Sequence, residues 1–219
     1  MLDRLLEVEV SAICDADKEL PVVDPAVRAM VADVRMAGPA RTVLAEDDHL
    51  PVFSALAEAQ PGDVLVIAAN GGRLAVLGEL FATEARRRGL AGVVIDGWCR
   101  DVQGLRRLGL PVFARGTIPR SGSTVGRSAQ NVAVRCGGVE VEPGDIVFGD
   151  DDGVVIATAE RMAAALDTAE EIARAERTIL AALARGEGTL HDFTNWGEHV
   201  ARLDSGQDSA LRFEVDGDR

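Results

Sequence analysis

The chain has 219 residues, of which 47% are hydrophobic and 27% charged, a composition typical of one sizeable globular domain with a full core. Its net charge of −13 argues against a nucleic-acid surface, and no apolar run approaches the roughly 20 residues that span a bilayer. The acidic N-terminus lacks secretory-signal features, and three scattered cysteines indicate neither a disulfide framework nor a zinc site. We therefore expect a cytoplasmic protein without nucleic-acid or membrane partners.

Helix signals recur along the chain and are strongest where a polar cap or a proline precedes an apolar pattern. Asp24 followed by Pro25 is one such start, and Thr158 is another. Glycines such as Gly89 and Gly109 are suited to end helices, because they adopt the left-handed conformation freely. Helices are predicted over residues 4–14, 25–36, 51–59, 79–88, 102–108 and 159–183.

Short β-branched or continuous apolar runs alternate with these helices, as in an α/β fold whose sheet is buried on both faces. Residues 74–77 predict a loop or a short helix, and the polar, glycine-rich residues 116–131 predict a long functional loop. We expect one domain over residues 1–185 and a tail over 186–219 that packs on the domain or on a neighbouring subunit. Strands are predicted over residues 41–45, 63–69, 92–95, 111–115, 132–136, 146–148 and 154–157.

The stretch 78–101, GELFATEARRRGLAGVVIDGWCRD, carries the prediction of function. Gly78 lets a ligand approach the backbone closely, and the first-turn N–H groups of the helix that follows favour an anion. Those N–H groups belong to Glu79, Leu80 and Phe81. Arg100 and Asp101 come just after the next strand, where open α/β sheets bind their ligands. One supersecondary unit thus offers an anion cradle, a guanidinium and a carboxylate.

Each of these residues also has an ordinary structural interpretation. Asp101 could ligate a hard cation such as Mg²⁺ or Mn²⁺, or it could simply cap the helix predicted over residues 102–108. Arg100 could hold a carboxylate or polarise a carbonyl oxygen, or it could form a surface ion pair. Glu79 suits the dipole at a helix start, and Cys99 is expected to serve packing.

Several short motifs occur in a fixed order along the chain. They are Gly38-Pro39-Ala40-x-Thr42, Gly62-Asp63, Gly78-Glu79-Leu80-Phe81-Ala82, Asp96-Gly97-x-x-Arg100-Asp101, Gly137-Gly138-Val139, Pro143-Gly144-Asp145 and Gly149-Asp150-Asp151-Asp152-Gly153-Val154. Over about residues 10–185 this set resembles the family of class II 4-hydroxy-4-methyl-2-oxoglutarate aldolases, which shares its fold with RraA, the regulator of ribonuclease E activity. The resemblance implies an RraA-like swivelling β/β/α-type domain with a long C-terminal helix, assembled as a homotrimer or hexamer.

The resemblance also implies an activity. The family cleaves 4-hydroxy-2-oxo acids to pyruvate with a divalent metal, Mg²⁺ or Mn²⁺, and is expected to decarboxylate oxaloacetate. Asp101 matches the metal-ligating aspartate, and Arg100 is expected beside the keto oxygen of pyruvate. The backbone over 78–81 is expected to bind the substrate carboxylate. The alternative is a non-catalytic, protein-binding regulator like RraA, which lacks the complete arginine–aspartate pair found here.

Two further acids enter through the resemblance alone. Glu79 matches the acid that bonds metal-bound water in the family. Family members also draw one acid from the adjacent subunit, and Glu176 fits this role best by its distance from Asp101. Glu171 and Glu187 are its rivals, and a solvated helix face is the structural alternative for Glu176.

Overall fold

The computed structural model describes residues 1–127 and 129–214 and shows a mixed α/β fold. Its helices are α1 (Leu2–Leu5), α2 (Val10–Ala16), α3 (Leu50–Glu58), α4 (Glu79–Arg87), α5 (Val102–Leu108), α6 (Ala159–Ala184) and α7 (Trp196–Asp204), with a 3₁₀ turn at Leu190–Phe193. Its strands are β1 (Arg28–Ala29), β2 (Met36–Leu44), β3 (Val64–Ala68), β4 (Ala75–Leu77), β5 (Gly92–Cys99), β6 (Val112–Thr117), β7 (Val134–Cys136), β8 (Val139–Val141), β9 (Ile146–Asp150) and β10 (Gly153–Ala157).

The main sheet has the order β1-β6-β5-β3-β2-β9-β10, and β7 pairs with β8 in a separate ribbon. Strands β2, β3, β5 and β6 run parallel, and β4 pairs parallel with the end of β5. Every residue of β3 is buried, which explains its continuous apolar sequence. The carboxyl ends of the parallel strands therefore meet at one edge of the sheet.

The sheet is nearly closed, because one segment joins its two outer edges. The backbone N–H of Val23 donates to the carbonyl of Val154 on β10 at 2.9 Å. A few residues later Ala29 on β1 pairs with Phe113 on β6 at the opposite edge. The α/β class predicted from the sequence is confirmed, and α3, α4, α5 and α6 lie where helices are predicted.

The helix predicted over residues 25–36 is wrong. The Asp24 carboxylate accepts from the N–H of Ala26 at 2.9 Å and pairs with Arg115 at 3.0 Å, so it stabilises a turn. The residues that follow pair as strands instead: β1 with β6 at one edge of the sheet, and the start of β2 with β9. Strand β2 also begins earlier than predicted and includes Pro39, which lies opposite Ile146 on β9.

Three other elements differ from the prediction. The single helix expected over residues 4–14 is broken into α1 and α2, and the N–H of Val10 donates to the buried Asp150 carboxylate at 2.9 Å. Residues 75–77 form strand β4 rather than a loop or helix, and β8 is an unpredicted strand. By contrast, the predicted cap of α6 is confirmed, because the Thr158 hydroxyl accepts from the N–H of Arg161 at 3.3 Å.

The long helix α6 packs against α2 in a second core, on the side of the molecule away from α3, α4 and α5. The tail continues into the 3₁₀ turn and α7, neither of which contains a buried residue. The Asn195 side chain ties it together, accepting from the N–H of Arg212 at 2.8 Å. Docking of this tail on another subunit and the division at residue 185 stay predictions, and residues 215–219 lie outside the described residues. Among the described helices none is long and apolar enough to cross a membrane.

Candidate functional site

A cleft opens at the edge where the parallel strands end. The turn after β2, the turn after β5, the start of α4 and the loop after β6 all contribute to its walls. Its lining includes His49, Gly78, Phe81, Arg100, Asp101 and Ser121. The volume is about 160 Å³, below the roughly 300–1,000 Å³ of sites for drug-sized ligands, so the cleft suits a small molecule.

Asp101 occupies the N-cap position of α5, but its side chain does not cap that helix. Its backbone is left-handed, with φ 59° and ψ 38°, a conformation uncommon outside glycine that aspartate tolerates and that Asp33 and Asp47 also adopt. The carboxylate instead accepts from the N–H of Glu79 at 3.2 Å. The cap interpretation is therefore wrong for the Asp101 side chain, which stays 45% exposed and faces the start of α4.

Arg100 lies beside this carboxylate. Its backbone N–H donates to the carbonyl of Leu77 at 2.9 Å, which fixes the turn against the end of β4. Its Nε atom is 3.5 Å from the Asp101 Oδ2 atom, and the Arg100 side chain is 40% exposed. An open pair at this distance is weak, so both charged groups remain available to a ligand in the cleft.

Gly78 makes this close arrangement sterically feasible. A Cβ atom at this position would lie 2.5 Å from the Asp101 Oδ2 atom and 3.0 Å from the Arg100 Cγ atom. Helix α4 can therefore begin against both side chains only without a Cβ here. Of the predicted cradle donors, the N–H of Glu79 already serves Asp101, while those of Leu80 and Phe81 belong to the first turn and lack intrahelical acceptors.

The Glu79 carboxylate lies between α4 and α5. It packs over Gly104, where an added Cβ would collide with it, and its Oε1 atom is 3.4 Å from Arg107 Nη2. The Leu80 side chain is 82% exposed, whereas the Phe81 ring packs edge-on against His49. The roles predicted for these residues stay predictions.

Glu176 is not brought to the cleft within one chain. It lies on α6, whose main packing partner is α2 in the other core. Its predicted role concerns a neighbouring subunit and stays a prediction. The rival Glu187 is engaged locally, because its ion pair with Arg185 at 2.7 Å lowers its pKa.

His49 and Asp48 line or support the cleft but were not singled out from the sequence. Both follow the predicted strand 41–45, so the rule that placed Arg100 and Asp101 past the end of β5 applies to them equally. Asp48 is only 6% exposed. Burial raises the pKa of Asp48, but hydrogen bonds from Ser123, Leu50 and the loop after β6 outweigh it and hold the pKa at about 2.

The cleft residues fit a divalent cation that keeps most of its water. No group of three or more His, Cys, Asp or Glu side chains gathers in the described parts of the chain. Mg²⁺ and Mn²⁺ often use one or two protein carboxylates, and Asp101 offers one beside the space that Gly78 leaves open. Cys99 is not a rival ligand: it is fully buried, and burial raises its pKa to about 11, as expected for a packing residue.

Comparison with known proteins identifies the family. A family model described as RraA-like, Aldolase/RraA, matches residues 10–156. A Halalkalibacterium halodurans protein named "Putative 4-hydroxy-4-methyl-2-oxoglutarate aldolase" is 38% identical over 151 residues, covering 68% of this chain and 72% of that protein. A Bacillus cereus protein of the same name is 33% identical over 148 residues, with 66% and 92% covered.

Solved structures extend the comparison. The RNA-processing inhibitor RraA from Thermus thermophilis is 29% identical with a TM-score of 0.64, covering 68% of this chain and 92% of that one. A Geobacillus kaustophilus protein described as S-adenosylmethionine:2-dimethylmenaquinone methyltransferase is 37% identical with a TM-score of 0.65, covering 68% and 94%. Because the family model matches most of the chain and these relatives share its fold, the protein belongs to the RraA-like family.

Proposed function

We propose that the protein is a divalent-metal-dependent lyase that cleaves a 4-hydroxy-2-oxo acid, such as 4-hydroxy-4-methyl-2-oxoglutarate, to pyruvate and also decarboxylates oxaloacetate. The aldolase names of its relatives support the lyase class. The observation that carries the proposal is the arrangement of Arg100 and Asp101. Both face one small cleft, and a left-handed backbone turns the Asp101 carboxylate away from its own helix.

In this proposal the substrate carboxylate lies at the start of α4, where the N–H groups of Leu80 and Phe81 favour an anion. The Arg100 guanidinium donates to the keto oxygen and stabilises the negative charge that develops there as the bond between C3 and C4 breaks. Asp101 would hold the divalent cation, which would supply Lewis acidity for the same charge development.

Proton transfer needs groups that can hold a proton near C3. Glu79 is the proposed residue within the chain, because its backbone N–H donates to Asp101 at 3.2 Å and its carboxylate lies nearby, between α4 and α5. Glu176 of a neighbouring copy is the proposed second acid. Its place on α6, away from the cleft of its own chain, is compatible with service in another copy.

Exposed apolar side chains support an assembly in which the cleft lies between copies. Leu80 at the cleft wall is 82% exposed, and Phe53, which packs against Phe81 at 5.9 Å between ring centroids, is 60% exposed. We propose a homotrimer or hexamer. Light scattering should give one of these masses, and a fully active monomer at assay concentration would contradict the proposal.

The function is tested by pyruvate release from a panel of 4-hydroxy-2-oxo acids and oxaloacetate, with and without a chelator. We expect release that the chelator abolishes and that Mg²⁺ or Mn²⁺ restores. The proposed reaction requires free Mg²⁺ or Mn²⁺ and a supply of 2-oxo acids. We propose that the protein acts in the cytoplasm, where both are present.

The second candidate is a protein-binding regulator, which the similarity to the Thermus thermophilis inhibitor supports. The complete Arg100–Asp101 pair favours the enzyme. If no acid in the panel yields pyruvate, while a protein partner binds equally well with Arg100 replaced, the regulator takes the place of the lyase.

A further inference from the structure

His49 lines the same cleft as the Arg100–Asp101 turn but comes from a different strand end. It follows β2, whereas Arg100 follows β5, and β3 lies between these two strands. Neighbouring strands are about 4.8 Å apart, so the two turns leave the sheet roughly 10 Å apart, and residues of both line the same cleft. A small 2-oxo acid held at Arg100 by its pyruvate half would therefore extend its other half toward His49.

Three parts of the chain hold His49 in place, two through its backbone and one through its ring. Its backbone N–H donates to the carbonyl of Ser123 at 3.0 Å, and its carbonyl accepts from Phe53 in the first turn of α3 at 3.0 Å. Its ring meets the Phe81 ring edge-on, with centroids 5.5 Å apart. The backbone, with φ −101° and ψ 0°, occupies the sparsely populated bridge region where many active-site residues are found.

The polar atoms of this ring are free to meet a ligand. Within residues 1–127 and 129–214, neither imidazole nitrogen hydrogen-bonds another residue, and the ring is partly exposed in the cleft. An imidazole can accept or donate a proton near neutral pH, unlike Phe81 or Leu80 beside it. Ser121 carries the hydroxyl group of the lining, but a serine hydroxyl is a far weaker base than an imidazole.

We propose that His49 takes the proton from the hydroxyl group on C4 of the substrate during aldol cleavage, an inference that rests on the proposed function. The O–H bond breaks toward the imidazole as the bond between C3 and C4 breaks, and C4 leaves as a carbonyl group. The electron pair of the broken C–C bond becomes the enolate of pyruvate. The imidazole returns its proton to solvent, and the enolate takes a proton at C3 from the acids proposed above for that carbon, which regain it from solvent.

The two proposed reactions separate this role from a merely structural one. In oxaloacetate decarboxylation C4 leaves as carbon dioxide, so no hydroxyl proton has to be removed, while the enolate half of the reaction is the same. A residue that acts on the C4 hydroxyl is needed for cleavage alone. A residue that only shapes the cleft wall is needed for both reactions.

The test compares His49→Phe with His49→Gln and wild type on both reactions. His49→Phe keeps a ring against Phe81 and removes the nitrogens, so turnover in aldol cleavage should fall about a hundredfold, while decarboxylation changes less than about threefold. His49→Gln keeps a polar group and should retain part of the cleavage rate. Pyruvate binding, measured by calorimetry, should be equal in all three proteins.

His191→Phe is a matched control, because His191 makes a similar edge-on contact with Trp196, at 5.3 Å, in the tail. It should leave both reactions unchanged. If His49→Phe slows both reactions together, or slows neither, the proposed role is wrong while the lyase function stands. Wild-type protein that releases no pyruvate from any of these acids would overturn the proposed function, and the role of His49 with it.

Discussion

Asp48 and Asp101 follow parallel strands of one sheet and lie at the same edge, yet their carboxylates have opposite surroundings. Asp48 is 6% exposed and accepts from the N–H groups of Leu50, Val125 and Gly126 at 2.7–2.9 Å and from the Ser123 hydroxyl. Asp101 has a side chain that is 45% exposed, one backbone donor at 3.2 Å and an arginine at 3.5 Å.

The difference separates an acid that holds the fold from an acid that is kept available. The Asp48 carboxylate joins the start of α3 to the loop after β6, and its oxygens are hydrogen-bonded within the chain. Asp101 has a left-handed backbone that aspartate tolerates, and its carboxylate gains little internal bonding. An exposed carboxylate with so few partners inside the chain is available to a ligand.

The largest expected effect is the loss of turnover when Asp101 is replaced. Asp101→Asn keeps a residue that tolerates the left-handed backbone but removes the charge, so turnover should fall about a thousandfold or more, beyond the loss of one oxyanion donor. Pyruvate release with and without Mn²⁺ measures this. Asp101→Gly should lose activity equally and leave the free energy of unfolding within about 1 kcal/mol of wild type. Full activity in either variant would show that Asp101 holds no metal.

Arg100 is the next test, because it shares the turn with Asp101. Arg100→Lys keeps the charge and loses the planar donor fork, so turnover should fall about a hundredfold. Binding of pyruvate or oxalate should weaken less, since the backbone of α4 remains. The surface variant Arg87→Lys, in an ion pair with Glu84 outside the cleft, is the control. If Arg100→Lys kept the turnover of wild type, as Arg87→Lys should, Arg100 would have no part in the mechanism.

Gly78→Ala tests whether the space beside Asp101 matters, because it fills that space and leaves the charge of the carboxylate unchanged. The added methyl group would lie 2.5 Å from the Asp101 Oδ2 atom, so the carboxylate has to move. We expect kcat/KM to fall roughly tenfold, or about 1.4 kcal/mol in transition-state binding. Gly197→Ala adds the same methyl group to α7 with nothing within 4 Å and should have no effect. A Gly78→Ala enzyme with wild-type kinetics would contradict the described geometry.

Asp48→Asn should affect stability most and turnover least. Losing a charge-assisted acceptor that is buried should lower the free energy of unfolding by about 1–3 kcal/mol at pH 7. Because the folded pKa, about 2, lies below the ordinary 3.8, this stabilisation is present above about pH 4 and lost as pH falls toward 2. Urea unfolding at pH 7 and pH 3 should show the difference between variant and wild type narrowing. A difference that widens on acidification would contradict the assigned bonding.

Much of this site could be predicted from the sequence, because its key residues are local to one strand–helix unit. Gly78 precedes α4 and the Arg100–Asp101 pair follows β5, and both positions depend on short-range signals. Contacts between distant segments could not be predicted in this way. His49 reaches the cleft only because β2 and β5 lie on either side of β3. Asp24 stabilises a turn rather than a helix start because its carboxylate pairs with Arg115, which is distant in sequence.

The conformation of Asp101 was also beyond sequence reasoning. An aspartate before a helix predicts an ordinary cap, and nothing local indicates a left-handed backbone. The carboxylate turns toward α4 because the absence of a Cβ at Gly78 leaves room and the N–H of Glu79 needs an acceptor. This arrangement depends on how β4 and β5 align, which is a tertiary property.

The most direct test of the contrast is to measure Asp48→Asn and Asp101→Asn side by side for Mn²⁺ binding by calorimetry, for pyruvate release and for unfolding in urea. We predict that Asp101→Asn unfolds like wild type but neither binds Mn²⁺ in the cleft nor releases pyruvate. We predict that Asp48→Asn unfolds at lower urea and keeps Mn²⁺ binding. The opposite pattern, with Mn²⁺ binding lost in Asp48→Asn and kept in Asp101→Asn, would contradict the assignment of Asp101 as the functional acid.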